Sequence, residues 1–195
     1  MKKPLYQLKQ RHDVIRQFTP NWFTVTMGTG VVALILAEFS VFAQSINMFA
    51  TLLWQMNIVL FSLFSVLYIL RWLIYPHEAR QIFTHSSMAL FLGTIPMGLA
   101  TIINGFLKFG VVLYGDIAIQ IAQMLWYVDV FLAVLIGVFV PFLMFSRQKH
   151  ELKTMTAMWL LPIVACEVTA ASGGLLLQYL AVGQTTLGIL FGSYM

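Results

Sequence analysis

Residues 47–75 read NMFATLLWQMNIVLFSLFSVLYILRWLIY. The stretch holds no glycine or proline, and its one charged residue, Arg71, comes near the end. A membrane-crossing helix needs about 20 apolar residues, because the hydrocarbon core is roughly 30 Å thick. This stretch exceeds that length. Its apolar residues do not alternate with polar ones as barrel strands do, so it reads as a spanning helix.

Four more apolar runs flank it, at about 21–41, 88–106, 119–145 and 156–181. Of the 195 residues 60% are apolar and 9% charged, whereas soluble domains carry about 25% charge. Such a chain cannot cover a water-facing surface, and a soluble globular domain is excluded. The expected fold class is an all-α integral membrane protein. Its expected layout is a basic cytoplasmic tail over 1–19 and one membrane domain over 20–195. That domain has five spans and an apolar C-terminal tail, with a sixth span starting at 185–195. The first run follows basic residues, and Val41-Phe42-Ala43 loosely resembles a signal-peptidase site. The run is too long for a signal h-region and carries Glu38 near its end, so it reads as an uncleaved first span.

Lysine and arginine set the orientation. Lys2, Lys3, Lys9, Arg11, Arg16, Arg71, Arg80, Arg147, Lys149 and Lys153 fall on one side if the spans alternate. Lys108 alone falls on the other. The N-terminus is therefore expected in the cytoplasm of a cell whose inner membrane the chain crosses several times. The basic loops serve as topology signals and need no nucleic-acid partner. Trp22, Trp72 and Trp159 fall near the inner ends of spans, as interfacial anchors should.

Glycine and proline separate the odd spans from the even ones. The first span has Gly28 and Gly30 after Pro20, the third has Gly93, Pro96, Gly98 and Gly105, and the fifth has Pro162, Gly173 and Gly174. The fourth has only Gly137 and Pro141, both toward its inner end. Proline inside a helix frees a carbonyl and bends the axis. In lipid, such groups must be buried in protein or face water. The odd spans are thus the expected interior and the even spans the expected outer wall. Close helix packing through small residues is the competing explanation.

Three acids lie within the spans: Glu38, Asp129 and Glu167. Intramembrane charge points to function by default, and no lysine or arginine lies deep enough to partner them. Glu38 reads as a solvated rim position. Asp129 follows Trp126 and Tyr127, where a structural hydrogen bond and a transport role are both open. Glu167, near the middle of the fifth span, is the first choice for a proton-linked group. At roughly 100° per residue, Pro162, Cys166, Thr169 and Gly173 share one face of that span, while Glu167, Ala170, Ala171 and Gly174 lie toward another. The wheel leaves open which face lines a path.

Chemistry of other kinds finds no support. The lone Cys166 excludes a disulfide scaffold and a two-thiol redox motif within one chain, and it reads as a small packing residue. His12, His77, His85 and His150 lie in loops or at span ends, where no pair can ligate haem. There is no Gly-rich phosphate loop and no His-Glu-x-x-His. No cofactor, metal site or enzymatic activity is expected.

The segment Asn21-Trp22-Phe23-Thr24-Val25-Thr26-Met27-Gly28-Thr29-Gly30-Val31-Val32 resembles the first span of the tellurite-resistance/dicarboxylate transporter family, which includes malic acid permeases, sulfite efflux pumps and plant slow anion channels. Trp159-Leu160-Leu161-Pro162-Ile163-Val164, followed by Ala170-Ala171-Ser172-Gly173-Gly174, resembles the family's fifth span. The resemblance runs from about Pro20 to the C-terminus. It implies half of a ten-helix fold whose odd helices form a central pore, often in a homotrimer. It further implies transport of small anions such as malate, sulfite, chloride or nitrate. Carried over by position, the pore candidates are Gly28, Gly30, Gly93, Pro96, Gly98, Pro162 and Gly173. Glu167, Thr169 and Ser172 join them as substrate-path candidates on the fifth span. Without deep basic residues, such a pore would attract anions through backbone dipoles.

The chain departs from that pattern by ending after five spans, and the expectation is an N-terminal half that does not conduct as a monomer. The runner-up function is a membrane-embedded redox or structural subunit. The first would need convergent His, Cys or carboxylates at one depth.

Overall fold

The structure, a computed structural model, describes residues 13–41, 44–85, 87–146 and 156–183. Five helices among them are long and apolar enough to cross a membrane: Pro20–Glu38, Gln44–Ile74, Leu90–Tyr114, Asp116–Ser146 and Ala157–Leu180. No strand occurs among the described residues, and the fold is all-α. Short helices Asp13–Arg16 and Pro76–Arg80 lie outside the spans. The tail before Asp13, the basic residues Arg147, Lys149 and Lys153, the histidines His12 and His150, and stretch 185–195 lie outside the described residues.

Proline acts here at helix starts. The first span opens with a 3-10 turn, Pro20–Trp22, before its α-helix Phe23–Glu38. The third opens with Leu90–Gly93 before Thr94–Gly105, and the fifth with Ala157–Leu160 before Leu161–Gly183. Pro96 and Pro162 thus sit in the first α-helical turn. Each stands just after the passage from 3-10 to α-helical winding in its span. Pro141 lies deep inside its helix, in the fourth span.

The three starts meet. Thr94 Oγ1 donates to the carbonyl of Pro20 at 3.2 Å, joining the first and third spans. A methyl built on Gly93 would lie 2.6 Å from the carbonyl oxygen of Leu161, which places the third start against the fifth.

The third span is the centre of the bundle. It packs on the first, second, fourth and fifth spans. Of its most apolar stretch 72% is buried, against 33% for the first, fourth and fifth spans and 11% for the second. The expected division into odd interior and even wall therefore needs correction. It holds for the third and second spans, whereas the first and fifth are no more buried than the fourth. Both flank the third span and keep one face uncovered.

Small residues make this packing close. In lipid, helices associate through tight contact more than through hydrophobic expulsion. Gly105 lies flush against the indole of Trp54, which also packs edge-on to Phe106. Trp54 anchors a cluster with Ala33, Ala37, Ala50 and Phe109 between spans one, two and three. Leu99, Ile103 and Leu107 pack with Ala122 and Leu176 between spans three, four and five.

The third helix does not stop at Phe106, where the sequence reading ended its apolar run. It continues through a π-helical turn, Phe106–Gly110, into Val111–Tyr114. Lys108 interrupts the hydropathy, but its ammonium is paired with the Glu38 carboxylate, so the charge does not terminate the helix.

Candidate functional site

Eight of the ten candidate path residues are buried: Gly30, Gly93, Pro96, Gly98, Pro162, Thr169, Ser172 and Gly173. Gly30 abuts the Thr101 side chain and the Asn57 amide. A methyl on Gly98 would come 2.7 Å from Thr26 Oγ1, and one on Gly173 the same distance from the Trp126 ring. Gly28 and Glu167 are exposed, and Gly28 has open space where a side chain would project.

The two faces of the fifth span now separate. Pro162, Cys166, Thr169 and Gly173 lie against the third and fourth spans. Trp126 Nε1 donates to the Thr169 carbonyl at 3.0 Å, and Thr169 Oγ1 donates to Asp129 Oδ2 at 2.8 Å. Cys166 Sγ donates to the Ala133 carbonyl at 3.3 Å, and a methyl on Gly137 would lie 2.6 Å from that sulfur. Residues 126, 129, 133 and 137 follow helical spacing and meet 162, 166, 169 and 173 in register. Glu167, Ala170 and Ala171 face outward. Asp129 is fully buried, and its second oxygen has no hydrogen-bond partner among the described residues.

Sequence reasoning passed over a buried polar group between the first three spans. Thr26, Asn57 and Thr101 are all buried, and Asn57 Nδ2 donates to Thr101 Oγ1 at 3.4 Å. The signal was available as Asn57, an asparagine in the interior of the apolar run 47–75.

Charge sits at the two ends. Glu38, which the sequence left without a partner, pairs with Lys108. Where the odd spans start, Arg16 Nε donates to both oxygens of Glu78 at 2.7 and 2.8 Å. That hydrogen bond holds the Glu78 carboxyl below its ordinary range and raises the Arg16 guanidinium. Arg71 is buried and donates to the carbonyls of Phe18 and Glu78. The second span thereby holds the segment before the first span against the linker helix.

The voltage-dependent anion channel family, SLAC1, matches residues 17–195. A sulfite efflux pump of Arthroderma otae is 39% identical over 168 residues, covering 85% of this chain and 45% of that protein. A malic acid transport protein of Schizosaccharomyces pombe is 27% identical over 175 residues, covering 88% of this chain and 39% of that protein. An uncharacterized transporter of Methanocaldococcus jannaschii is 26% identical over 168 residues, covering 86% and 47%. The chain thus spans about half the length of these relatives or less. No solved structure matches it significantly. A family match over that range, on an all-α chain with five membrane-length helices, places this protein in the voltage-dependent anion channel family.

Proposed function

We propose that this chain, assembled with copies of itself, forms a path for small anions across a membrane, with sulfite as the first substrate to test. The observation that carries the reading is family membership over residues 17–195. The 39% identity to a sulfite efflux pump ranks sulfite ahead of malate, whose transporter is 27% identical. The central third span, flanked by the first and fifth, supports a path along the odd spans. The uncovered faces bearing Gly28 and Glu167 are its first candidate surface. The packed residues Gly30, Gly93, Pro96, Gly98, Pro162, Thr169, Ser172 and Gly173 hold the three helices at the spacing such a path needs. The N-terminus belongs in the cytoplasm, the inner membrane is the location, and a homotrimer is the assembly.

Sulfite efflux from proteoliposomes holding the purified protein tests this. Efflux above that of empty vesicles, and its loss in Gly28→Trp, is the expected result. Efflux equal to that of empty vesicles overturns the reading.

A further inference from the structure

Among the described residues, Arg16, Arg71 and Arg80 lie at the end where the odd spans start, and Lys108 is the one basic side chain at the other. Its neighbours Leu107 and Phe109 are buried, yet the Lys108 side chain keeps 35% exposure. The π-helical turn that carries it is rare and frequently marks functional positions. One turn earlier is Asn104, whose buried Oδ1 has no hydrogen-bond partner among the described residues. Glu38, paired with Lys108, is 71% exposed. Asp116, also exposed, begins the fourth span at this end. An anion arriving there meets two carboxylates and a single ammonium.

We propose that Lys108 is a landing site for small anions at this end of the bundle and that Glu38 is its tethered competitor. Exposed ion pairs contribute only about 0.2–1 kcal/mol, so a free anion displaces Glu38 from the ammonium at little loss. The Lys108 ammonium is a point charge with three rotatable donors, suited to small anions of differing shape. Glu38 then sets how much anion is needed. Without it the site fills at lower concentration, and without Lys108 it does not form. This inference rests on the reading that the chain carries small anions.

Chloride is the probe, read as chloride-35 line broadening by the purified full chain in detergent. Lys108→Gln should lose the saturable broadening. Glu38→Gln should lower the half-saturating chloride by about 1.4- to fivefold, the range that an exposed pair's energy allows. A purely structural bridge predicts otherwise: either substitution breaks the same pair, and both shift binding in one direction. Parallel shifts, or no shift in either variant, overturn the proposal. If Lys108→Gln does not fold, Lys108→Arg keeps the charge and must keep the broadening, and its loss there is equally fatal. The sulfite efflux experiment is separate. Absent efflux with opposed chloride shifts would sink the transport reading and leave Lys108 as an anion site.

Discussion

Gly93 and Leu161 meet backbone to backbone: a methyl on Gly93 would lie 2.6 Å from the Leu161 carbonyl oxygen and 2.8 Å from its carbon. A carbonyl in the first turn of the fifth span cannot swing aside as a flexible side-chain tip would. Gly93→Ala should therefore destabilise the bundle by about 1–3 kcal/mol, the usual range for overpacking. Gly28→Ala, which meets open space, should not lower the melting temperature. Melting both variants in detergent checks the contrast, and equal melting would show that the odd-span starts are not in contact.

Among the described residues, the Asp129 carboxyl depends on Thr169 for its one hydrogen bond. Thr169→Val should cost about 1–3 kcal/mol, because a buried acceptor loses its donor. Asp129→Leu combined with Thr169→Val should cost less than the two single changes added together. A double-mutant cycle on thermal unfolding measures the coupling. Strict additivity would mean that the two side chains do not interact.

Acid should release the segment before the first span. Glu78 has a folded-state pKa below its unfolded value because Arg16 hydrogen-bonds the carboxylate. The pair's contribution is thus fully present above the ordinary glutamate range near 4.3 and is lost as pH falls through the lowered folded value. Hydrogen exchange over residues 13–19 should quicken relative to the spans across that window. Glu78→Gln should show the fast rate at every pH. A pH-independent ratio in the unmodified protein would contradict the pairing.

Glu167 faces outward from the fifth span. If anion movement is coupled to protons, Glu167→Gln should remove the pH dependence of sulfite efflux while melting stays unchanged. Its surface position makes the substitution mild for folding. An unaltered pH profile would assign Glu167 to a face away from the path.

Orientation is tested by a single cysteine at Arg80, in a Cys166→Ala background, exposed to an impermeant thiol reagent outside whole cells. Protection is expected, because Arg16, Arg71 and Arg80 share one end. Labelling would invert the arrangement.

Much of the fold was legible because bilayer thickness is a strict ruler. Residues 47–75 announced a span by length and apolarity alone, and the helix found is Gln44–Ile74. The third span was read short because hydropathy sees the Lys108 charge but not the Glu38 carboxylate, 70 positions away, that neutralises it. Proline gave its presence but not its place, which is the passage from a 3-10 turn to α-helix at Pro96 and Pro162. The wheel of the fifth span found both of its small-sided faces. Only the partners Trp126, Asp129, Ala133 and Gly137 on the fourth span tell which one is packed.

The turn at Phe106–Gly110 holds one more residue than an α-helix would need to cover the same ground. Helix before it and helix after it therefore keep separate angular frames. Removing a single residue inside the turn would let it relax to α-helical winding while Thr101 and Tyr114 both stay in register. The same removal at Leu99 would rotate everything beyond it by roughly 100°. The third span thus contains one position where length can change without the bundle noticing, next to the only lysine within its five spans.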